Sequence, residues 1–222
     1  WANKNIKGEI VSYHNSTWLS PAREDVKEFL QKRYAYLVEN YEFEGINLDY
    51  IRFPEEYRGS FGYDKKSVEK FKAEYGKDPF EISSGSSDFS LWNQYRENLV
   101  TEMVKETSEK LRRIDPDLII SADVIPGREE ARYRALQNWE LWLQKDYLDF
   151  VLPMTYTENL FSELSRWIKE DRKIIDQPLY AGISVFKLTP EQVIDQIEEV
   201  NRINPNGLSL FAAAHLTEAD YQ

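Results

Sequence analysis

Two aspartates, Asp49 and Asp123, stand where acid/base chemistry would be placed in a parallel α/β fold. Each closes a short apolar run, GINLDYI (45–51) and LIISADV (118–124), rich in the branched residues that strands favour. Side chains alternate along a strand. Ile46, Leu48 and Tyr50 then share one side, and Asn47 and Asp49 the other. In the second run Ile120, Ala122 and Val124 take the aliphatic side, while Ser121 and Asp123 face away from it. Two carboxyl groups on neighbouring strand ends fall within the separation of about 5–10 Å at which one can protonate a leaving oxygen while the other acts as nucleophile or base on a glycosidic bond. Like charges that close together push one of the two towards its protonated form. The alternative is structural: aspartates at strand ends also accept backbone N–H groups and cap loops.

Other polar and aromatic residues collect at the same ends. Arg52 follows Asp49 and is placed to fix its charge or to hold a substrate hydroxyl, or to pair with Glu55 or Glu56 on the surface. Met154 and Tyr156 share a face of DFVLPMTY (149–156), suited to the floor of a sugar site or to a core. Glu158 is a third acid, or a solvated loop glutamate. Trp92 and Arg96 open a long helical pattern; Trp92 could stack on a sugar or staple the helix to the core. His14 and His215 are isolated, a weak basis for a metal, and His215 draws notice because it follows the last strand pattern.

The elements that position these residues alternate. Five strand patterns (45–51, 118–124, 149–156, 178–184 and 207–213) are interleaved with helical patterns at 22–41, 90–114, 164–175 and 189–203. The last opens on Thr189-Pro190 with Gln192 three residues after the cap, a capping box. Strands alternating with helices give a parallel sheet with right-handed crossovers, and ligands of such sheets bind at the carboxyl ends of the strands. Residues 1–20 break the rhythm and suggest an extended piece or hairpin around Gly8. Residues 55–89 read as an irregular insertion holding one helix at 65–75. With no repeat and no dividing linker, 1–222 reads as a single domain.

Composition narrows the partners. The formal net charge of −11 disfavours nucleic acid and anionic membrane surfaces. With 14% aromatic residues, including 6 Trp and 14 Tyr, the chain is rich in surfaces that stack on sugars or peptides. The absence of Cys removes disulfides and thiolate metal sites. No apolar run reaches the roughly 18 residues of a membrane span. The chain opens on Trp1 rather than Met, so an upstream part is expected.

The series WLSPAREDVKEFL (18–30), EGINLDYIRFP (44–54), FKAEYGKDP (71–79), WNQYRENLV (92–100), DLIISADVIPG (117–127) and YLDFVLPMTYTEN (147–159) resembles the glycosyl-hydrolase-like family of bacterial (β/α)8 TIM barrels often described as family-10-like. The series in its order carries the resemblance, over nearly the whole chain. The resemblance implies that GINLDYIRFP is the fourth barrel strand, so that the chain holds strands 4 to 8 and belongs to a longer barrel. It further implies a glycosidase acting on an oligo- or polysaccharide and an extracytoplasmic setting; Asp49 and Asp123, read from their places at the strand ends, would be the catalytic carboxylates, and Asp49 with a partner such as Asp123 or Glu158 suits this family. Asn47, Arg52, Trp92, Arg96, Met154, Tyr156, Glu158 and His215 would position the sugar. No cofactor or metal is called for, because carboxylates suffice for this reaction. The framework is also similar, more distantly, to family-18 chitinases, but Ile51 stands where their catalytic glutamate belongs, which disfavours their mechanism. Two other readings stay open: a carbohydrate-binding barrel without catalysis, and a metal-dependent hydrolase built on Asp49 and Asp123.

Overall fold

A computed structural model describes residues 1–10, 12–13, 16–55, 60–203 and 206–215. These fall into two compact units between which the chain passes repeatedly: one of Trp1–Glu44, Tyr50–Leu118 and Arg132–Asn138, the other of Gly45–Asp49, Ile119–Ala131 and Trp139–Gln222. Glu56 and His14 lie outside the described residues.

The first unit begins with a two-stranded antiparallel ladder, β1 (Ser12–Tyr13) and β2 (Ser16–Thr17). Its helices are α1 (Glu24–Asn40), α2 (Lys65–Tyr75) and α3 (Ser87–Ile114). Each start is legible chemically. Glu24 and Asp25 put negative charge at the positive end of α1. The Asp64 side chain caps α2 by accepting from the amides of Lys66 and Ser67, and Ser86 caps α3 by accepting from Phe89 N–H. The core of this unit is aromatic. Tyr63, Phe71, Trp92 and Tyr95 are buried together, with Trp92 and Tyr95 stacked at 5.5 Å and Phe71 edge-on to Trp92 at 4.8 Å.

The second unit holds the sheet: β3 (Gly45–Leu48), β4 (Ile119–Val124), β5 (Phe150–Pro153), β6 (Tyr180–Ser184) and β7 (Gly207–Phe211). All neighbours are parallel. β3, β4 and β5 form one ladder and β6 and β7 another, and parallel bridges Val151↔Leu179 and Met154↔Gly182 join β5 to β6. The spatial order is therefore the sequence order, as expected of strands alternating with helices. Among the described residues β3 and β7 each pair on one side only.

All five strands lie where the sequence placed them, each ending earlier at its carboxyl end except β4 and β6. Between β4 and β5 the chain forms two short helices, α4 (Arg128–Ala135) and α5 (Trp139–Gln144), that the periodicity did not disclose. After β5 a π-helical turn at Leu160–Leu164 leads into α6 (Ser165–Arg172), and α7 (Pro190–Arg202) precedes β7. The capping box of α7 is formed: Thr189 Oγ1 accepts from Gln192 N–H at 3.3 Å, and Gln192 Oε1 accepts from Thr189 N–H at 2.9 Å.

The registers assign the two faces of the sheet. In a parallel pair, residues in register point to the same side. One face carries Leu48, Ile120, Ala122, Val124, Val151, Ala181 and Ile183, all buried. The other carries Asn47, Ser121, Asp123, Leu152, Met154, Gly182, Ser209 and Phe211. The polar residues of β3 and β4 thus share a face, with Leu152 and Met154 beside them on β5, and the buried aliphatic residues take the opposite one.

Candidate functional site

The site grows from that polar face. Asn47 is in register with Ser121, and the pairing continues to Leu48 and Ala122. The pairing ends there; Asp49 is the first residue beyond β3, and side-chain alternation continued past the strand end would turn it to the side of Asp123. Asp49 is exposed and Asp123 half-buried. A hydrogen-bond chain runs through the neighbours: Ser121 Oγ donates to Asn47 Oδ1 at 2.9 Å, and Asn47 Nδ2 donates to Asp123 Oδ2 at 3.0 Å. Asn47, expected as a sugar contact, is bound to the carboxylate beside it.

Along the same face, at the ends of β5, β6 and β7, stands a wall of rings. Tyr156 stacks on Phe211 at 5.5 Å, and Phe186 sits edge-on to both at 6.3 and 6.2 Å. His215 lies 5.5 Å from Phe186. Phe186 and Phe211 keep 44% and 47% of their surface exposed, although they are large and apolar. Such a wall matches the apolar face of a pyranose ring. Tyr156 and His215 were expected here from the sequence, whereas Phe186 and Phe211 were not. The signal for them is a phenylalanine at the carboxyl end of a strand pattern, in ISVF and LSLF, which reads equally well as core.

Gly182 makes room for the wall. A Cβ at this position would meet Pro153 O at 3.0 Å and Tyr156 Cε1 at 3.2 Å. Gly182→Ala is therefore expected to displace the Tyr156 ring by a few tenths of an ångström and to cost about 1 kcal/mol of stability. Thermal denaturation checks this, with Tm expected to fall by a few degrees while the fold persists.

Met154 is half-buried beside Gly182, and Glu158 is exposed after Thr157. Arg52 lies in the first unit, its guanidinium 4.9 Å from the Tyr50 ring and 6.0 Å from that of Trp18. Its Nε and Nη1 are buried without a hydrogen-bond partner among the described residues. Glu55, one of its expected partners, is taken by Arg134 Nη2 at 2.5 Å. Tyr50 itself is in the left-handed region with φ of 55°, which ends the extended run directly after Asp49.

Trp92 and Arg96 need correction as sugar contacts. Both have no exposed surface, and a side chain without accessible surface cannot touch a substrate. Trp92 is the hub of the aromatic core. Arg96 donates from Nη1 to Phe61 O at 2.6 Å and from Nη2 to Asn93 Oδ1 at 2.5 Å, and lies 5.3 Å from the Trp92 ring. Gly62, at φ of 90°, leaves the space that the Arg96 stem fills. Arg96→Lys is expected to lower stability by about 2–4 kcal/mol, because the planar fork is lost and Phe61 O loses its buried donor; chemical denaturation measures it.

A parallel sheet whose strands alternate with helices, carrying polar and aromatic residues at the carboxyl ends of the strands, makes this an α/β protein whose five strands are consistent with part of a TIM barrel. The chain belongs to the glycosyl hydrolase-like 10 family, whose model matches residues 1–197. Glycosyl hydrolase YngK from Bacillus subtilis (strain 168) is 20% identical over 219 residues, which cover 85% of this chain and 40% of that protein. The chain thus spans about 40% of the length of this curated relative. Among solved structures, bee venom hyaluronidase in complex with a hyaluronic acid tetramer superposes with a TM-score of 0.56 at 13% identity, covering 98% of this chain and 77% of that one. The endo-1,4-β-mannanase of Rhizomucor miehei gives 0.56 at 14% identity, covering 90% and 57%. Both are TIM barrels, and at these identities the likeness is one of fold.

Among the described residues no three or more His, Cys, Asp or Glu are gathered as a metal site requires, and no helix is long and apolar enough to cross a membrane.

Proposed function

We propose that this chain carries the catalytic face of a glycoside hydrolase that cleaves an oligo- or polysaccharide. The observation behind this reading is the face that Asn47, Ser121 and Asp123 share on adjacent parallel strands, the face that also bears Phe211 of the aromatic wall. Asp123, which accepts an amide N–H from Asn47, acts as the nucleophile or base. Asp49, exposed beside it, protonates the leaving oxygen. Tyr156, Phe186 and Phe211 support the sugar ring, with Met154, Glu158 and His215 as further contacts. Family membership supports the reaction class, and the five strands read as part of an eight-stranded barrel.

The test is release of reducing ends from soluble hyaluronan, β-mannan, xylan and β-glucan by the full-length protein, with a chelator present and absent. Hydrolysis that survives the chelator and is lost in Asp49→Asn supports the reading. Saccharide binding without turnover would instead favour the non-catalytic barrel, which Ile51 at the chitinase glutamate position would suit. Turnover lost on chelation would favour the metal-dependent alternative.

A further inference from the structure

The bonds around Asn47 give this residue and Ser121 a shared task. We infer that Ser121 and Asn47 are positioning residues that set the rotamer of Asp123 through a directed hydrogen-bond relay; the inference rests on the carboxylate reading above.

The direction follows from chemistry. An ionised carboxylate only accepts hydrogen bonds. The group 3.0 Å from Asp123 Oδ2 must therefore be the Asn47 NH2, which turns Asn47 Oδ1 to the other side. There it can only accept, so Ser121, 2.9 Å away, must donate. Each group has one orientation that satisfies all three. Ser121 is buried, with 5% of its surface exposed, so its hydroxyl has few other acceptors. Asn47 is exposed, and an exposed asparagine turns freely unless both ends of its amide are held. The strand register provides the hold: Ser121 is directly across from Asn47, and Asp123 is the diagonal neighbour two residues on.

Without the Ser121 hydroxyl the amide loses its reason to keep this orientation. Turned over, it would present Oδ1 to the carboxylate, and Asp123 would rotate away. Ser121 need not touch a sugar for this to matter, because a misplacement of about 1 Å in a reacting group lowers turnover by about 100-fold.

Two readouts on the full-length protein test the relay. The first is the Asn47 side-chain amide pair in ¹⁵N-resolved NMR spectra. In the unmodified protein the pair is expected to give one set of slowly exchanging resonances, as an amide held at both ends does. In Ser121→Ala its protons are expected to exchange faster with water, and in Ser121→Thr, which retains the hydroxyl, the slow exchange returns. The second is kinetic, on the polysaccharide hydrolysed in the panel above. Ser121→Ala is expected to lower kcat by about 10–100-fold with KM unchanged, and Ser121→Thr to restore it. An Asn47 amide identical in the unmodified protein and in Ser121→Ala overturns the relay. So does a kcat unaffected by Ser121→Ala, or a fall in kcat that comes with a matching loss of thermal stability. If no polysaccharide is hydrolysed, the carboxylate reading fails by itself, and the NMR result still decides whether the hydrogen bonds exist.

Discussion

Asp123→Asn is expected to lower turnover by about 10²–10⁴-fold while leaving Tm within a few degrees of the unmodified protein. The size is that of removing a side chain that moves a proton or attacks in the transition state. The constancy of Tm follows from the geometry. Asparagine has the shape of aspartate, and its Oδ1 can still accept from Asn47 Nδ2, 3.0 Å away in the native pair. What is lost is the negative charge and the capacity to attack or to take a proton. KM is expected to change little, because the aromatic wall is left intact. Calorimetry together with reducing-end kinetics checks both halves. A variant that unfolds would mean that Asp123 is held for the fold. A variant that turns over normally would move the chemistry to Asp49 and Glu158.

A second large effect concerns stability. Asp171, on α6, has 1% of its surface exposed and accepts from Gly127 N–H through both carboxylate oxygens, each at 3.2 Å. Burial is the dominant influence and pushes its carboxyl up to about 7; the Gly127 bond opposes this, Glu170 adds to it and Arg166 opposes it. The unfolded chain would lose this proton near pH 4, whereas the folded chain keeps it to about pH 7. Between these values the folded state binds more protons, so stability falls as pH rises and levels off above 7. The full cost is about 4 kcal/mol. Asp171→Asn keeps an acceptor for Gly127 and never ionises. It is expected to match the unmodified protein at pH 4 and to exceed it by roughly 2–4 kcal/mol at pH 8, a rise in Tm of about 5–10 °C. A Tm lower than that of the unmodified protein at both pH values would show that the bond to Gly127 outweighs the cost of burying the charge.

The strands were legible because their residues make only one sensible assignment. Runs such as LIISADV and PLYAGIS are short, branched and apolar, and their order dictates a parallel sheet. The Thr189–Gln192 cap was legible because its chemistry is local. Helices α4 and α5 were not. REEARYRA carries charge on every side and shows little apolar period, and WELWLQ is under two turns long; tertiary packing of Trp139 and Trp142, both fully buried, supplies what propensity does not. Within the site, alternation along β3 and β4 placed Asn47, Ser121 and Asp123 on one face without a structure. It could not show that Asn47 is tied to Asp123, since that depends on register between strands more than seventy positions apart. Trp92 and Arg96 misled for a related reason. An arginine and a tryptophan on an amphipathic helix look like surface groups, and only the backbone carbonyl of Phe61 and the glycine at 62 reveal a buried guanidinium.

Tyr50 holds a backbone conformation that costs an ordinary residue about 1–2 kcal/mol, and the rings of Trp18 and Tyr50, 5.6 Å apart, lie beside the Arg52 guanidinium. Glycine or asparagine would occupy this position with less strain. Selection for heat resistance alone would therefore favour a smaller residue here only if the packing of the Tyr50 ring against Trp18 and Arg52 were worth less than the strain it carries.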